Sequence, residues 1–485
     1  MITEMKIQHT MNPKPQVMFS VYKLISIVLW LMFFVNVAII AFNFPNFQEW
    51  SFGNVFKING FTLLIWSTVT FFSAVVSSYS ENYLKGFKYH TRFMVFCMGF
   101  TLSVMMLVAS NHIAPLLLSW FAMGVFMSRL IGIDKSLKES KGAFKFTQNY
   151  FLAGTGFLSV GVLMAAFQMN EFTLSGLVSN WSALSPVVTL ISALCIIIAA
   201  IIQSAIFPFH KWLLSAMTAP TPASALMHAG FVNGSGILLA LFSTLLFESN
   251  TLNILFVIGG LTAITAQFTK LLQVNVKQKL ACSTIAQMGF MVMQCGLGFF
   301  NAAVAHLILH GFYKAYLFLS AGEIIEHSVP QKPLKIRIKP LQALAVLIFS
   351  VLGAFVFIKL TGKGNALDSG IFLTLIVAIT VGQMTYNIVK QKSLSVFQKV
   401  FLTPALFIGG IGLYALMYNG VTVLMADMLN VSESLPLSTV QIVFGIVFLV
   451  GFFIMKLGIY RQVPWLYVKL LNASQPHKTT VLTSK

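Results

Sequence analysis

The stretch QSAIFPFHKWLLSAMTAPTPASALMHAGFVNGSG, residues 203–236, decides how this chain must be read. It is apolar enough to lie in a bilayer, yet prolines interrupt it. Pro208 removes a backbone hydrogen bond and breaks the helix, and Pro220 and Pro222 end the second piece. Carbonyls and amides freed at membrane depth find no water, so broken helices are kept where they line a cavity, the usual sign of an ion or substrate site. Gln203, Pro208, His210 and Lys211 therefore form a broken-helix region, with His210 and Lys211 flanking the break. His228 sits about two turns into the next span. Asn233, Gly234 and Gly236 follow it as a small-residue face suited to close helix contact. Alone, His228 would read as a satisfied core histidine; beside a proline break and a second histidine line it reads as functional, because polar groups in a membrane are costly unless used.

The surroundings of this stretch are those of a membrane protein. Of 485 residues, 57% are hydrophobic and 9% charged, with 46 Phe against 12 acids; an ordinary soluble domain has roughly 45–50% and about 25%. The mean hydropathy is +0.85. A span needs about 20 apolar residues, so there is room for well over a dozen spans and for no sizeable soluble domain. Aqueous catalysis would need a partner. The apolar runs predict an all-α, polytopic fold of fourteen transmembrane helices. They start near residues 24, 59, 93, 114, 148, 186, 222, 254, 281, 302, 341, 369, 401 and 438. The one near 186 must both span and accommodate the Pro208 break.

The net charge of +19 reads as topology. With a cytoplasmic N-terminus, 27 of the 31 Lys and Arg fall at inner ends and loops, and only Lys57, Lys359 and Lys363 fall outside, with Lys314 inside a span. That pattern places both termini in the cytoplasm, with an N-terminal segment over 1–23, a transmembrane domain over 24–458 and a tail over 459–485. Leu24 to Phe42 has full spanning length and no A-x-A cleavage site, so it reads as an uncleaved first span. The basic residues form no face with interleaved aromatics, which argues against nucleic acid. Cys97, Cys195, Cys282 and Cys295 lie in apolar runs without CxxC spacing, which supports neither a disulfide framework nor a zinc knuckle.

AHLILHGFYKAYLFLSAGE, residues 305–323, is the richest candidate site. His306, His310 and Lys314 recur every four residues, and each step of four advances about 40°, so the three share one face. Lys314 lies too deep to snorkel, and a mid-bilayer lysine costs roughly 2.5–3.5 kcal/mol on insertion scales. Histidine titrates near neutral pH and desolvation favours the neutral amine, so the line suits proton hopping. The i, i+4 histidine pair lacks a third ligand and an HExxH glutamate, which leaves no metal site. Glu323, at the inner end of the span, is the single acid inside any predicted span. A third stretch, TKLLQVNVKQKLACSTIAQMGFM (269–291), carries Lys270 and Lys279, which fit an inner loop, and Lys277, which need not.

Taken in this order, the three stretches resemble the antiporter-like membrane subunits of respiratory complex I and of Mrp cation antiporters. The family's PTPxSALxHA pattern is matched by Pro220 to Ala229, its K-x-x-L-A-x-S-T-x-x-Q-x-G-(F/Y) segment by Lys277 to Phe290, and its H-x-x-x-H-x-x-x-K line by His306 to Lys314. Two departures stand out. Phe121 follows Trp120 where the family has a glutamate, and Gln203 stands where it has a lysine before S-A-x-x-P. Both members of the acid–base pair of a complex I channel are thus replaced, although Lys211 offers a substitute charge eight residues on. QSAIFPFHKWL, SALMHAGFVNGSG and STIAQMGFMVMQCGLG are similar to the membrane subunits of DAB-type inorganic carbon transporters. That resemblance implies a cation-conducting (H⁺ or Na⁺) subunit, not itself an enzyme, of an energy-coupled CO₂/bicarbonate uptake complex in a bacterial plasma membrane. It implies a cation pathway through His228, Lys277, His306, His310 and Lys314, flexibility at the Pro208 break, and no metal or cofactor in this chain. Zinc would belong to a large cytoplasmic carbonic-anhydrase-like partner docked on the basic inner loops. The alternatives are a proton-translocating subunit of an NADH-quinone oxidoreductase and an Mrp-type cation/proton antiporter subunit.

Overall fold

The computed structural model describes residues 21–321, 340–364, 366–390, 394–457, 460 and 462–480. Its elements are α1 (Val21–Asn43), a hairpin of β1 (Trp50–Phe52) and β2 (Phe56–Ile58), α2 (Gly60–Tyr83), α3 (His90–Ala109), α4 (Ile113–Ile131) and α5 (Lys138–Met169). Then come α6 (Leu174–Ser179), α7 (Pro186–Gln203), α8 (Lys211–Ser215), α9 (Thr221–Ala229), α10 (Gly234–Leu241), α11 (Ser243–Glu248), α12 (Leu252–Leu272), α13 (Val276–Gly296) and α14 (Phe300–Leu319). The chain closes with α15 (Pro340–Thr361), α16 (Gly370–Lys390), α17 (Val396–Leu424), α18 (Thr439–Leu457) and α19 (Pro464–Ala473).

Among the described residues eleven spans are long and apolar enough to cross a membrane, counting α9 and α10 as one. The other three expected positions are held by α13, α16 and α18, so every one of the fourteen expected starts has its helix. This is a multi-span membrane protein with the all-α fold expected of the sequence. Local chemistry fixes the helix starts. Asn59 caps α2 by accepting from the Thr62 amide, Ser185 and Pro186 open α7, and Asn275 caps α13 by accepting from the Gln278 amide. The helix expected near 148 begins ten residues earlier, at Lys138, with a charged first stretch.

Without water to drive association, helices in lipid pack through small residues. The α12–α13 pair shows this best: a Cβ on Gly259 would lie 2.5 Å from the Met293 amide nitrogen, and one on Gly296 would lie 2.3 Å from that of Phe256. At one end of the bundle the loops are tied by short bridges, Phe56 to Ser110, His112 to Thr173 and Phe299 to Ser432. The Lys57–Glu49 ion pair, 2.6 Å long, lies in this region. At the other end α19 and the turn after it pack on α12 and α5. Gln273 donates to the Ser474 carbonyl (3.0 Å), and the His477 amide donates to Ser215 Oγ (2.9 Å).

Candidate cation pathway

Two spans are interrupted side by side. α7 ends at Gln203, Ala205 turns the chain with a positive φ of 54°, and the helix resumes at Lys211. The Trp212 indole donates to the Ile202 carbonyl at 2.7 Å, which also accepts from the Ala205 amide at 3.2 Å, and the Ile206 amide donates to the Ile201 carbonyl at 2.9 Å. The second interruption is one that sequence reading did not separate. The span starting at Thr221 stops at Ala229, makes a tight turn over Phe231–Asn233, and restarts at Gly234. A Cβ on Gly230 would sit 3.0 Å from the Leu226 carbonyl and 3.3 Å from the Phe100 ring, which is why the turn holds a glycine. The end of α7 satisfies this second break. Gln203 Nε2 donates to the Phe231 carbonyl at 3.2 Å, and Ser204 Oγ donates to that of Val232 and meets Ser235 Oγ. Asn233 Nδ2 donates to the carbonyls of Ala229 (2.7 Å) and Leu307 (3.2 Å).

His228 occupies the last turn of α9, just before the second break, and is fully buried. Its Nδ1 lies 2.9 Å from Thr284 Oγ1 of α13, and its ring stacks on Phe318 with centroids 4.3 Å apart. Its Nε2 has no partner among the described residues. The cations acting on it are Lys314 and Lys277. Lys314, also fully buried, donates to the Leu280 carbonyl at 3.2 Å. Lys277 donates to the Ala219 carbonyl at 2.8 Å, and its neighbour Gln278 to that of Leu214 at 3.1 Å, so the start of α13 holds the second piece of the broken helix. His310 is buried with both ring nitrogens unpartnered among the described residues, and it interacts electrostatically with Lys314, His306 and His228. His306 lies parallel to it with centroids 6.1 Å apart and meets the edge of Phe290 at 5.2 Å.

The five sequence-selected residues therefore form one seam between α9, α13 and α14. Its order is Lys277, His228, Lys314, His310, His306. The broken-helix residues divide differently. Gln203 is buried at the second break, whereas His210 points elsewhere: its ring stacks on Phe207 at 3.6 Å and its Nε2 donates to the Ala473 carbonyl at 2.8 Å, clamping the C-terminal segment. Lys211 is exposed, so it does not enter the interior to replace the lysine that Gln203 supplants. Phe121 is 40% exposed on α4 while Trp120 is buried, and it is Met123 of α4 that lies, with Gln203, against Gly234. No Asp or Glu is buried among the described residues, and no three His, Cys, Asp or Glu side chains converge among them. Glu323 lies outside the described residues.

Thr284 was not singled out from the sequence, although Lys277, Leu280 and Thr284 are spaced by three and four and so share one face of α13. That spacing was the available signal.

Residues 110–362, just over half of the chain, match the family described as NADH:quinone oxidoreductase/Mrp antiporter, TM. The chain belongs to this family. It is 31% identical over 282 residues to the probable inorganic carbon transporter subunit DabB of Hydrogenovibrio crunogenus, covering 57% of this chain and 54% of that one. It is 36% identical over 298 residues to NADH-quinone oxidoreductase subunit L of Rickettsia typhi, covering 59% and 45%. The chain thus spans about half the length of these curated relatives. Among solved structures it matches a chain of the membrane-bound sulfane sulfur reductase, an archaeal respiratory membrane complex, with a TM-score of 0.57. That match has 18% identity and covers 93% of this chain and 91% of that one. It also matches the Mrp complex from Dietzia sp. DQ12-45-1b with a TM-score of 0.54 at 19% identity, covering 94% and 52%. These two likenesses concern the fold. The chain is an antiporter-like membrane subunit.

Proposed function

We propose that this chain is the cation-conducting subunit of an energy-coupled inorganic carbon uptake complex in a bacterial plasma membrane, with both termini in the cytoplasm. Inward flow of H⁺ or Na⁺ along Lys277, His228, Lys314, His310 and His306 drives a large cytoplasmic partner that converts incoming CO₂ to bicarbonate and keeps the reaction vectorial. Zinc and bond chemistry belong to that partner, and this chain holds no cofactor. The observation that carries the reading is the seam itself: the fully buried Lys314, the half-buried Lys277 and three imidazoles, with the four ring nitrogens His228 Nε2, His306 Nε2, His310 Nδ1 and His310 Nε2 unpartnered among the described residues. Unpaired buried polar atoms are costly and rare in native proteins, so a file of them beside two broken helices has the character of a relay. The carbon-uptake assignment rests on the DabB likeness together with Phe121 and Gln203, which remove the acid and base of a respiratory channel. The domain division follows: 1–23 and 459–485 as inner segments, with the transmembrane unit between them.

The test is rescue of a carbonic-anhydrase-deficient host at ambient CO₂. Co-expression with the partner restores growth, and this chain alone does not. Rescue by the chain alone at normal membrane levels overturns the two-subunit reading. Affinity purification separates the rivals. A single large zinc protein fits carbon uptake, a set of small membrane subunits fits an Mrp antiporter, and peripheral iron–sulfur proteins fit a respiratory complex.

A further inference from the structure

The seam stops at His306, well short of the end of the bundle opposite Lys277. From there a second set of polar groups continues, built from α13, α17 and the loop after α17, inside an otherwise phenylalanine-rich cluster that includes Phe256, Phe299, Phe357 and Phe444. Phe290, which meets His306, belongs to the same cluster, and Gln294 follows it one turn along α13. Gln294 is 1% exposed, and its Oε1 has no partner among the described residues. Its amide interacts with the hydroxyl of Tyr414 on α17. Tyr414 stacks on Tyr418 one turn further along, with centroids 6.3 Å apart and planes 18° from parallel. The Tyr418 hydroxyl lies 3.5 Å from Ser432 Oγ in the loop at the bundle's end. Lys363 donates to the Ser432 carbonyl at 3.2 Å, with its ammonium 5.0 Å from the centre of the Phe299 ring.

The Gln294 amide and the two tyrosine hydroxyls would each cost less as apolar groups in such a cluster. Their arrangement in one file, with an unused carbonyl oxygen at its buried end, calls for a ligand. We propose that Gln294, Tyr414, Tyr418 and Ser432 form the second limb of the cation pathway, carrying a monovalent cation between the histidine seam and the outer face, with Phe290 as the apolar step between the two limbs and Lys363 at the mouth. Amide and hydroxyl oxygens suit both H⁺, handed between hydrogen-bonded groups, and Na⁺, coordinated by oxygen. The inference rests on the cation-conducting role proposed above.

The experiment uses membrane vesicles bearing the chain with its co-purified partner, and reads cation flux under an imposed pH gradient and, separately, an imposed Na⁺ gradient. Tyr414→Phe and Tyr418→Phe keep both rings and remove only the hydroxyls. Each slows flux by about tenfold at unchanged membrane levels, and the gradient that drives wild-type flux identifies the ion. Ser432→Ala, a small change in a loop, gives the same direction of effect and covers the case in which a tyrosine variant fails to assemble. Wild-type flux in the Tyr414→Phe, Tyr418→Phe double variant and in Ser432→Ala, with flux lost in Lys314→Met, overturns the second limb and leaves the seam standing. Flux unchanged in Lys314→Met as well, or no flux of either ion through the wild-type complex, overturns both.

Discussion

The breaks at 204–210 and 230–233 and the seam across α13 and α14 treat buried polar groups in opposite ways. At the breaks the exposed backbone is supported by side chains: Trp212, Gln203, Ser204 and Asn233 each donate to a backbone carbonyl at an interruption, and those of Ile202 and Phe231 also accept from the Ala205 and Gly234 amides. In the seam the backbone is regular helix, and it is imidazole nitrogens that lack partners among the described residues, with His310 bonded at neither. The contrast separates structure from chemistry. Groups that end a helix are satisfied because an orphaned carbonyl would cost about 1–3 kcal/mol, whereas groups that must exchange a proton have to remain available.

Substitutions on the two sides should therefore fail in different ways. The largest functional effect falls on His310→Leu, which removes two unpartnered nitrogens from the middle of the seam. Dissolved-carbon uptake should be abolished while membrane levels of the chain stay normal or rise. Unchanged uptake would make the histidine line packing. Trp212→Phe reverses the profile: it removes the indole bond while the Ile202 carbonyl keeps the Ala205 amide at 3.2 Å, so stability should fall by about 0.5–1.5 kcal/mol, measured by thermal unfolding in detergent, with uptake per folded molecule retained. Reduced uptake without destabilisation would move Trp212 to the functional side. Lys211→Ala marks the small end. Its side chain is exposed, so the stability change should stay within about 0.5 kcal/mol, and uptake should hold. A large loss of uptake would restore the substitute-charge role that the structure denies it.

What could be read from sequence follows the same physical division. Fourteen helices were legible because a bilayer demands long apolar runs, and the Pro208 break because proline cannot continue a helix. The face shared by His306, His310 and Lys314 followed from helical spacing alone. The break at Gly230 was hidden, since Gly-Phe-Val-Asn-Gly is as apolar as a continuous span and contains no proline. The charged start of α5 was missed because residues 138–147 carry no apolar run to announce a helix. His210 flanks the break as its sequence position implies, but its bond to the Ala473 carbonyl, 263 residues away, could not be read, because no local pattern encodes such a contact. The pairing of His228 with Thr284 is of the same kind, joining two helices whose register only the packed bundle sets.

The central claim is that the seam moves a cation by changing the charge of its own groups, and Lys314 tests it most directly. It is fully buried, donates to the Leu280 carbonyl, and has its ammonium 5.8 Å from the centre of the Tyr313 ring. Lys314→Met removes a group that can titrate and also relieves an insertion cost of roughly 2.5–3.5 kcal/mol, so assembly should be preserved. Lys314→Arg keeps the charge, but guanidinium does not deprotonate in proteins. Dissolved-carbon uptake should be measured for both variants alongside membrane levels of the chain and of its bound partner. The account predicts uptake lost in both variants at normal levels. Full uptake in Lys314→Met would contradict it outright, and substantial uptake in Lys314→Arg would make Lys314 a fixed charge instead of a relay.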